Sequence, residues 1–290
     1  MNNILVLVNP NARQGNQLEP EIKNWLKDQG YNVLNSSLGS DKDKMNVIIE
    51  KYHHKKPIVL VGGGDGSVNE VLSSLTKYQL PLVVIPCGTA NNLARSLDIP
   101  SDHKEALSLL LQGKIKNIDV GVANGIHFVN VIGIGLSTQV NRAVPSKMKR
   151  IFGVFAFVMT ALQLAKRMTP FRVRIRCDNK EHTAYSWQLS VCNGRNYGNG
   201  LVIHEDAKLD DQTLHALSTE VEKWWHAFAL VPSLLTGKFK TTHPVTAFSG
   251  NRMEIETKRP MNVDVDGDVK TKTPIKVEIL PRALQIYVPH

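Results

Sequence analysis

Cysteine is scarce in this chain. Cys87, Cys177 and Cys192 are widely spaced and form no C-x-x-C pair. Neither a disulfide framework nor a zinc site is therefore expected, and a reducing, cytoplasmic setting is the default. No secretory leader is expected either: "MNNILVLVNPNARQGN" has no basic n-region, and its apolar run is only about five residues. A membrane-crossing run is also lacking. The longest apolar stretch, "IFGVFAFVMTALQLA" at 151–165, would reach roughly 22 Å as a helix, short of a hydrocarbon core of roughly 30 Å. It reads as a buried helix or as an interfacial one, because Lys147, Lys149, Arg150, Lys166 and Arg167 flank it. There are no internal repeats and no low-complexity tracts. No RNP, KH or zinc-knuckle pattern occurs, so nucleic acid is not an expected partner.

What is present is apolar material and positive charge. Of 290 residues, 42% are hydrophobic, enough for a proper core and, at this length, for two domains. The formal net charge of +9 favours anionic partners, whether nucleic acid, an anionic membrane surface or phosphorylated ligands, and charge alone does not choose among them.

The first 120 residues alternate strand and helix. "NILVLV", "YNVLNSS", "PIVLVG" and "PLVVIP" read as strands. Between and after them, "QLEPEIKNWLKDQG", "DKMNVIIEKYH", "SVNEVLSSLTKY", "ANNLARSLD" and "DHKEALSLLLQG" read as helices. Gly30 closes the first helix, and Asp102 with Glu105 forms a capping box on the last, with Gly113 beyond its end. This is the pattern of a doubly wound parallel sheet, whose ligands bind beyond the carboxyl ends of the strands. After about residue 120 the texture becomes Gly-punctuated and alternating, as in antiparallel strands. Two helical patches interrupt it: 147–168 and "EKWWHAFALVPSLLTGKF". The expected organisation is an α/β domain over 1–122 and a mainly β sandwich with inserted helices over 123–280. The segment at about 281–290 is a candidate to return to the first domain.

"LVGGGDGSVNEVL", residues 60–72, sits at a strand-to-helix junction. Free N–H groups and the positive end of the helix dipole favour an anion there. A Rossmann fingerprint would need Gly where Ser67 stands, and a Walker A loop needs Gly-Lys-Ser/Thr, which is missing. Ser67 and Glu70 read as a capping box. Asp65, an anion inside a phosphate-type loop, suggests a divalent cation shared with phosphate, although an Asp-Gly turn is the alternative. A second junction, "VVIPCGTANNLARSL", offers Thr89 as a helix cap or a phosphate contact. A third, "LVNPNARQGN", offers Asn9, Asn11 and Arg13. Three polar strand ends in one sheet suggest a nucleotide crevice.

"GGGDGSVNEV" together with "IPCGTANNLARSL" resembles the diacylglycerol kinase catalytic-domain family, specifically its small bacterial lipid kinases. Residues 118–135 and the ending "VDGDVKTKTPIKVEILPRALQIYVP" agree as well, so the resemblance covers essentially the whole chain. It implies an N-terminal α/β domain, a C-terminal β-sandwich, ATP in the cleft between them, and Mg²⁺-dependent transfer of the γ-phosphate to a lipid hydroxyl. Carried over by position, the nucleotide contacts are Asn9, Pro10, Asn11, Ala12, Arg13, Gly63, Gly64, Asp65, Gly66, Ser67, Val68, Asn69 and Thr89. Ser37 (or Ser36) is a further candidate after the second strand. The family's proton acceptor ends a D-G-E segment, which reads Asp266-Gly267-Asp268 here. Asp268 fits that role with Asp266 beside it, and the same residues signal a hairpin turn.

The chain also departs from the family pattern. Asn92 stands where the family usually has Asp, which removes one charge from the set Asp65 and Asp119 that would hold Mg²⁺. A structural metal loop maps to about Lys208, Asp211 and Thr213, with Gln212 in place of its Gly. Trp224, Trp225, Phe228 and Leu235 are either core or a lipid-facing surface ringed by Lys. The expected partner is a lipid at an anionic membrane surface, with peripheral association at the inner face; a homodimer is compatible with the sequence. The other readings kept open are an NAD kinase-type phosphotransferase and a non-catalytic nucleotide- or lipid-binding module.

Overall fold

The computed structural model describes residues 2–10, 12, 15–35, 44–143, 160, 163, 164, 166, 168–178, 180–194, 196–198, 201, 202, 207–220 and 245–290. The chain divides into two compact units, Met1–Ile118 with Pro281–His290, and Asp119–Leu280.

In the first unit the elements run β1 (Asn3–Val8), α1 (Gly15–Asp28), β2 (Asn32–Asn35), α2 (Lys44–Tyr52), β3 (Ile58–Gly63), α3 (Asp65–Tyr78), β4 (Leu82–Pro86), α4 (Asn92–Ser96) and α5 (His103–Gln112). Strand β5 (Lys114–Ala123) then leads into the second unit. The strands β1, β3 and β4 are apolar and buried on both faces, as a parallel sheet covered on two sides requires. β1 pairs in parallel with β2 and β3, and β3 in parallel with β4. The sheet is completed from the far end of the chain, where Ile286 pairs with Leu82 in parallel. The helices pack one stripe each: Leu18, Ile22 and Leu26 of α1 recur at every fourth residue and are buried.

Two expected helix ends are present. Gly30 takes φ 78°, and Gly30 N–H and Tyr31 N–H return to the carbonyls of Lys27 and Leu26, the closing pattern of a Schellman motif. The Asp102 carboxylate accepts from the N–H groups of Lys104 and Glu105 and caps α5. Gly113 follows that helix, and a Cβ there would lie 2.7 Å from the carbonyl oxygens of both Leu109 and Val288. Two expected caps are not formed. α3 begins at Asp65 with the extended Gly64 as its N-cap, so Ser67 lies inside the helix and the Ser67–Glu70 capping box does not exist. α4 begins at Asn92 with Asn91 as its N-cap, so Thr89 caps nothing and is exposed.

The second unit continues with β6 (Ile126–Phe128), β7 (Val131–Gly135), α6 (Leu136–Ala143), β8 (Phe171–Cys177), β9 (Lys180–Ser186), β10 (Gln188–Asn193), β11 (Asn196–Gly198), β12 (Leu201–Val202), β13 (Leu214–Thr219), β14 (Val245–Gly250), β15 (Arg252–Thr257), β16 (Asn262–Val265), β17 (Asp268–Lys272) and β18 (Ile275–Val288). One sheet has the order β14-β13-β10-β7-β16-β17. The opposing one places β15 beside the start of β18, then β8 and β9. Alternate residues of the two sheets meet in one apolar layer: Ile132, Ile134, Leu189, Val191, Val263 and Val265 from the first, Val173, Ile175, Met253, Ile255, Ile275 and Val277 from the second. That layer makes the unit a sandwich. The alternating "AYSWQLSVCNG" is broken at Trp187, which splits it between β9 and β10. "PIKVEIL" and "ALQIYVP", which read as separate strands, lie in the single strand β18. Most of the apolar stretch 151–165, and the whole Trp224–Leu235 patch, lie outside the described residues.

Candidate functional site

Three loops of the first unit leave the carboxyl ends of β1, β3 and β4, and they are tied to one another. Asn9, buried, donates its Nδ2 to the Ser67 hydroxyl at 3.1 Å. Its backbone N–H reaches the Gly62 carbonyl at 2.8 Å, and Cys87 N–H reaches the Gly63 carbonyl at 2.9 Å. Glycine is required by close approach. A Cβ on Gly88 would stand 2.5 Å from the Gly64 Cα and 2.6 Å from Asn91 Oδ1, and one on Gly63 would stand 2.6 Å from the Ser67 Cβ. Gly66, in contrast, has open space where its Cβ would be.

Asn91 and Gly88 are joined reciprocally: Gly88 N–H donates to Asn91 Oδ1 at 2.9 Å, and Asn91 Nδ2 donates to the Gly88 carbonyl at 3.1 Å. Asp65 reaches across to the same segment. Its Oδ2 accepts from Asn92 N–H at 3.0 Å and its Oδ1 from Leu93 N–H at 3.1 Å. Val68 is core, and Ser67 and Asn69 are buried. Of the remaining contacts expected of this unit, Pro10 and Ala12 form the turn after β1, where Ala12 N–H returns to the Asn9 carbonyl. Asn11, Arg13, Ser36 and Ser37 lie outside the described residues. The Cys87 thiol, between β4 and the Gly88 turn, is pushed up to about 11 by burial.

In the second unit the D-G-D segment is a two-residue hairpin turn between β16 and β17. Asp266 and Gly267 take φ 49° and 98°, and Val265 pairs with Asp268, the geometry that an Asp-Gly turn favours. Asp266 is anchored rather than available. Its Oδ1 accepts from Asn130 N–H (3.1 Å) and Val131 N–H (2.8 Å), and its Oδ2 from Val129 N–H (3.0 Å). Asp264 Oδ1 accepts from Gly267 N–H at 2.8 Å. The turn is thus pinned from both sides, and Asp268, at its outer end, is exposed.

A second pinned loop covers 207–213. Asp119, fully buried, donates its N–H to the Leu209 carbonyl at 2.7 Å and accepts from Gln212 N–H on Oδ2 at 2.6 Å. Asn193 Nδ2 donates to the Asp119 carbonyl at 2.8 Å. The Asp211 carboxylate accepts from Lys208 N–H and Thr213 N–H, both at 2.9 Å. It also lies 3.2 Å from His215 Nε2, while His215 Nδ1 meets the Ser249 hydroxyl at 3.1 Å.

Residues 3–123 match the model of the diacylglycerol kinase catalytic domain, and residues 130–288 match that of the YegS C-terminal NAD kinase beta sandwich-like domain. The chain belongs to the diacylglycerol kinase catalytic-domain family. Its relatives include a candidate YegS-like lipid kinase of Klebsiella pneumoniae, 27% identical over 93% of this chain and 92% of that one. A candidate lipid kinase of Staphylococcus epidermidis is 27% identical over 82% of this chain and 78% of its own length. Among solved structures, a candidate diacylglycerol kinase from Bacillus anthracis superposes with a TM-score of 0.83 at 25% identity, covering 99% of this chain and 95% of that one. The family is one of lipid kinases, so the chain is a transferase of phosphate. No helix among the described residues is long and apolar enough to cross a membrane.

The family pattern implies resident metals, and the donors present do not fit them. In the nucleotide loops, both Asp65 oxygens are turned to backbone N–H groups, and an amide stands at residue 92. The buried Asp119 turns one carboxylate oxygen, Oδ2, to Gln212 N–H. In the loop of Lys208, Asp211 and Thr213, the Asp211 carboxylate faces inward to its own backbone and to His215. Among the described residues, no three His, Cys, Asp or Glu side chains gather as a metal group. Through these bonds Asp65, Asp119 and Asp211 each hold a loop, and Asp266 pins the turn on which Asp268 stands. Asn91, Gln212 and Asn193 are the members of these networks that pattern reading missed. The repeated Asn after Gly88-Thr89 was the only signal of the first, since Asn is the residue besides Gly that most readily enters the left-handed region.

Proposed function

We propose that the chain is an ATP-dependent lipid kinase that phosphorylates a hydroxyl of a diacylglycerol-like lipid. The observation that carries this reading is the set of three strand ends tied together in the first unit, two of them glycine-bearing, with Gly66 open to an approaching phosphate. Backbone N–H groups of the first turn of α3, and the dipole behind them, would receive the triphosphate. Magnesium enters as part of the substrate, MgATP, where the triphosphate oxygens supply most of its ligands.

In the reaction the lipid hydroxyl oxygen bonds to the γ-phosphorus, the bond from that phosphorus to the β–γ bridging oxygen breaks, and ADP leaves. The hydroxyl proton goes to the Asp268 carboxylate, an exposed group on a turn whose backbone is fixed by Asp264 and Asp266. The net charge of +9 would draw the enzyme to an anionic cytoplasmic leaflet, where a lipid acceptor is presented.

The test is transfer of label from γ-labelled ATP, with Mg²⁺, to a panel of mixed micelles holding diacylglycerol, monoacylglycerol, phosphatidylglycerol or a sphingoid base. Label on one lipid class supports the reading; no labelled lipid in any micelle sinks it. NAD phosphorylation is the second reading, favoured by the likeness of the C-terminal domain to an NAD kinase sandwich. Formation of NADP from NAD and ATP would establish it instead.

A further inference from the structure

A phosphate cradle does not account for the charge of Asp65. Its carboxylate accepts from the N–H groups of Asn92 and Leu93, the first two residues of α4. Such N–H groups have no partner within their own helix and take an acceptor from outside. Asn91, the residue in the N-cap position, does not supply one. It stands in the left-handed region at φ 49° and ψ 49° and makes no side-chain cap bond. Its amide is turned to Gly88 instead, as donor and as acceptor. Asp65 therefore caps α4 from a different loop, and the helix-end N–H groups offset its charge.

Residue 92 belongs to the same arrangement. An aspartate there would put a second carboxylate in the turn that Asp65 already occupies, and two carboxylates sharing a site are both ionised only with a cation between them; otherwise a raised pKa keeps one protonated. Asparagine leaves a single charge, which two N–H groups satisfy. The same contact joins α3 to α4 beside the Gly64–Gly88 approach, so losing it would loosen both loops together.

We infer that Asp65 is a positioning residue that clasps the β3–α3 loop to α4, and that no resident divalent cation sits between them. The idea rests on the kinase reading only for calling these nucleotide loops. Its test uses the nucleotide-free full chain and needs no turnover, so a failed lipid assay and a failed clasp are told apart.

Thermal melts are recorded in EDTA and in millimolar Mg²⁺. The wild type is expected to melt at one temperature in both. Asp65→Asn is expected to melt lower by the same amount in both, because its amide turns an N–H₂ toward one of the two N–H groups. Asn92→Asp is expected to melt lower in EDTA and to recover in Mg²⁺. A wild-type melt raised by Mg²⁺ alone overturns the proposal, as does an Asp65→Asn protein that melts like wild type; should that variant not fold, the wild-type comparison still decides. An Asn92→Asp protein indifferent to Mg²⁺ overturns the account of residue 92. In turnover, Asp65→Asn should raise the KM for ATP with the half-saturating Mg²⁺ concentration held within about twofold, while a rise of about tenfold in the Mg²⁺ requirement contradicts the clasp.

Discussion

The backbone N–H of Gln212 lies 2.6 Å from Asp119 Oδ2, and Gln212 takes φ 58°, a left-handed conformation, in the turn where the bond is made. The contact fastens the 207–213 loop to the buried start of the second unit. The Gln212 side chain is exposed, so its removal loses no packing. Gln212→Gly relieves left-handed strain of about 1 kcal/mol and adds a comparable freedom to the unfolded chain. Stability should be held or raised by up to about 1 kcal/mol on denaturant titration. Gln212→Pro deletes the donor and cannot take the conformation, and it should cost more than about 2 kcal/mol.

Glycines 66 and 88 are expected to answer differently to alanine. Gly88→Ala drives a methyl into the Gly64 Cα and the Asn91 amide, so it should lower stability by about 1–3 kcal/mol and raise the KM for ATP. Gly66→Ala meets nothing in the free protein. It should stabilise α3 by up to about 0.5–1 kcal/mol, while the methyl stands where a phosphate would approach. A melt that rises while the KM for ATP increases about tenfold would mark Gly66 as a ligand-facing position. A KM left unchanged would remove it from the site.

Asp266 and Asp268 are expected to separate in the same way. Asp268→Asn leaves every bond of the turn in place, so kcat should fall by about a hundredfold or more with the KM for ATP and the melt retained. Asp266→Asn presents an amide to three N–H donors, so it should lower stability by about 1–3 kcal/mol and reduce kcat through Asp268. Steady-state kinetics beside denaturant curves distinguish the two. A stable, inactive Asp266→Asn would return Asp266 to the chemistry.

The thiols should be inert in the folded protein. Cys87, Cys177 and Cys192 are all buried. Burial raises Cys87 to about 11, and it raises Cys192 well above its ordinary value, with the Asp266 charge adding to the effect. A thiol whose folded pKa is raised contributes stability that is complete below its unfolded value of about 8.5, and that stability is lost as pH rises through the folded value. Native protein at pH 8 should therefore react with a disulfide reagent only at its unfolding rate. Stability should decline between about pH 8.5 and 11. A fast-reacting equivalent at Cys87 would show that the β4–Gly88 turn opens.

The alternation of "NILVLV", "PIVLVG" and "PLVVIP" with helical stripes was enough to read a parallel sheet, because strands buried on both faces are apolar without a break. Asp-Gly at 266–267 likewise announced its own turn, and Gly30 its own helix end. What could not be read was where local bonds yield to distant ones. Ser67 has the right neighbour for a capping box in Glu70, yet its hydroxyl is taken by Asn9, 58 positions away. Asp65 read as a metal ligand because an anion sat in a phosphate-type loop; that its carboxylate meets N–H groups of another loop could not be read, since backbone donors leave no trace in sequence. Asp211 and Asp119 follow the same rule: a carboxylate identifies an acceptor, and only the fold says whether its donor is a cation or a peptide.

Strand β18 has a consequence for the order in which the protein forms. Its later residues pair with β4 in the first unit, and Leu284, Ile286 and Val288 are buried. On the ribosome those residues emerge only after all of the second unit has been made. The nascent first unit must therefore wait with one edge of its sheet unpaired, along β4, through the synthesis of more than half the chain. An open edge of that kind is a template for wrong partners. The interval between the emergence of β4 and of β18 is thus a window in which the growing chain carries an open, aggregation-prone edge.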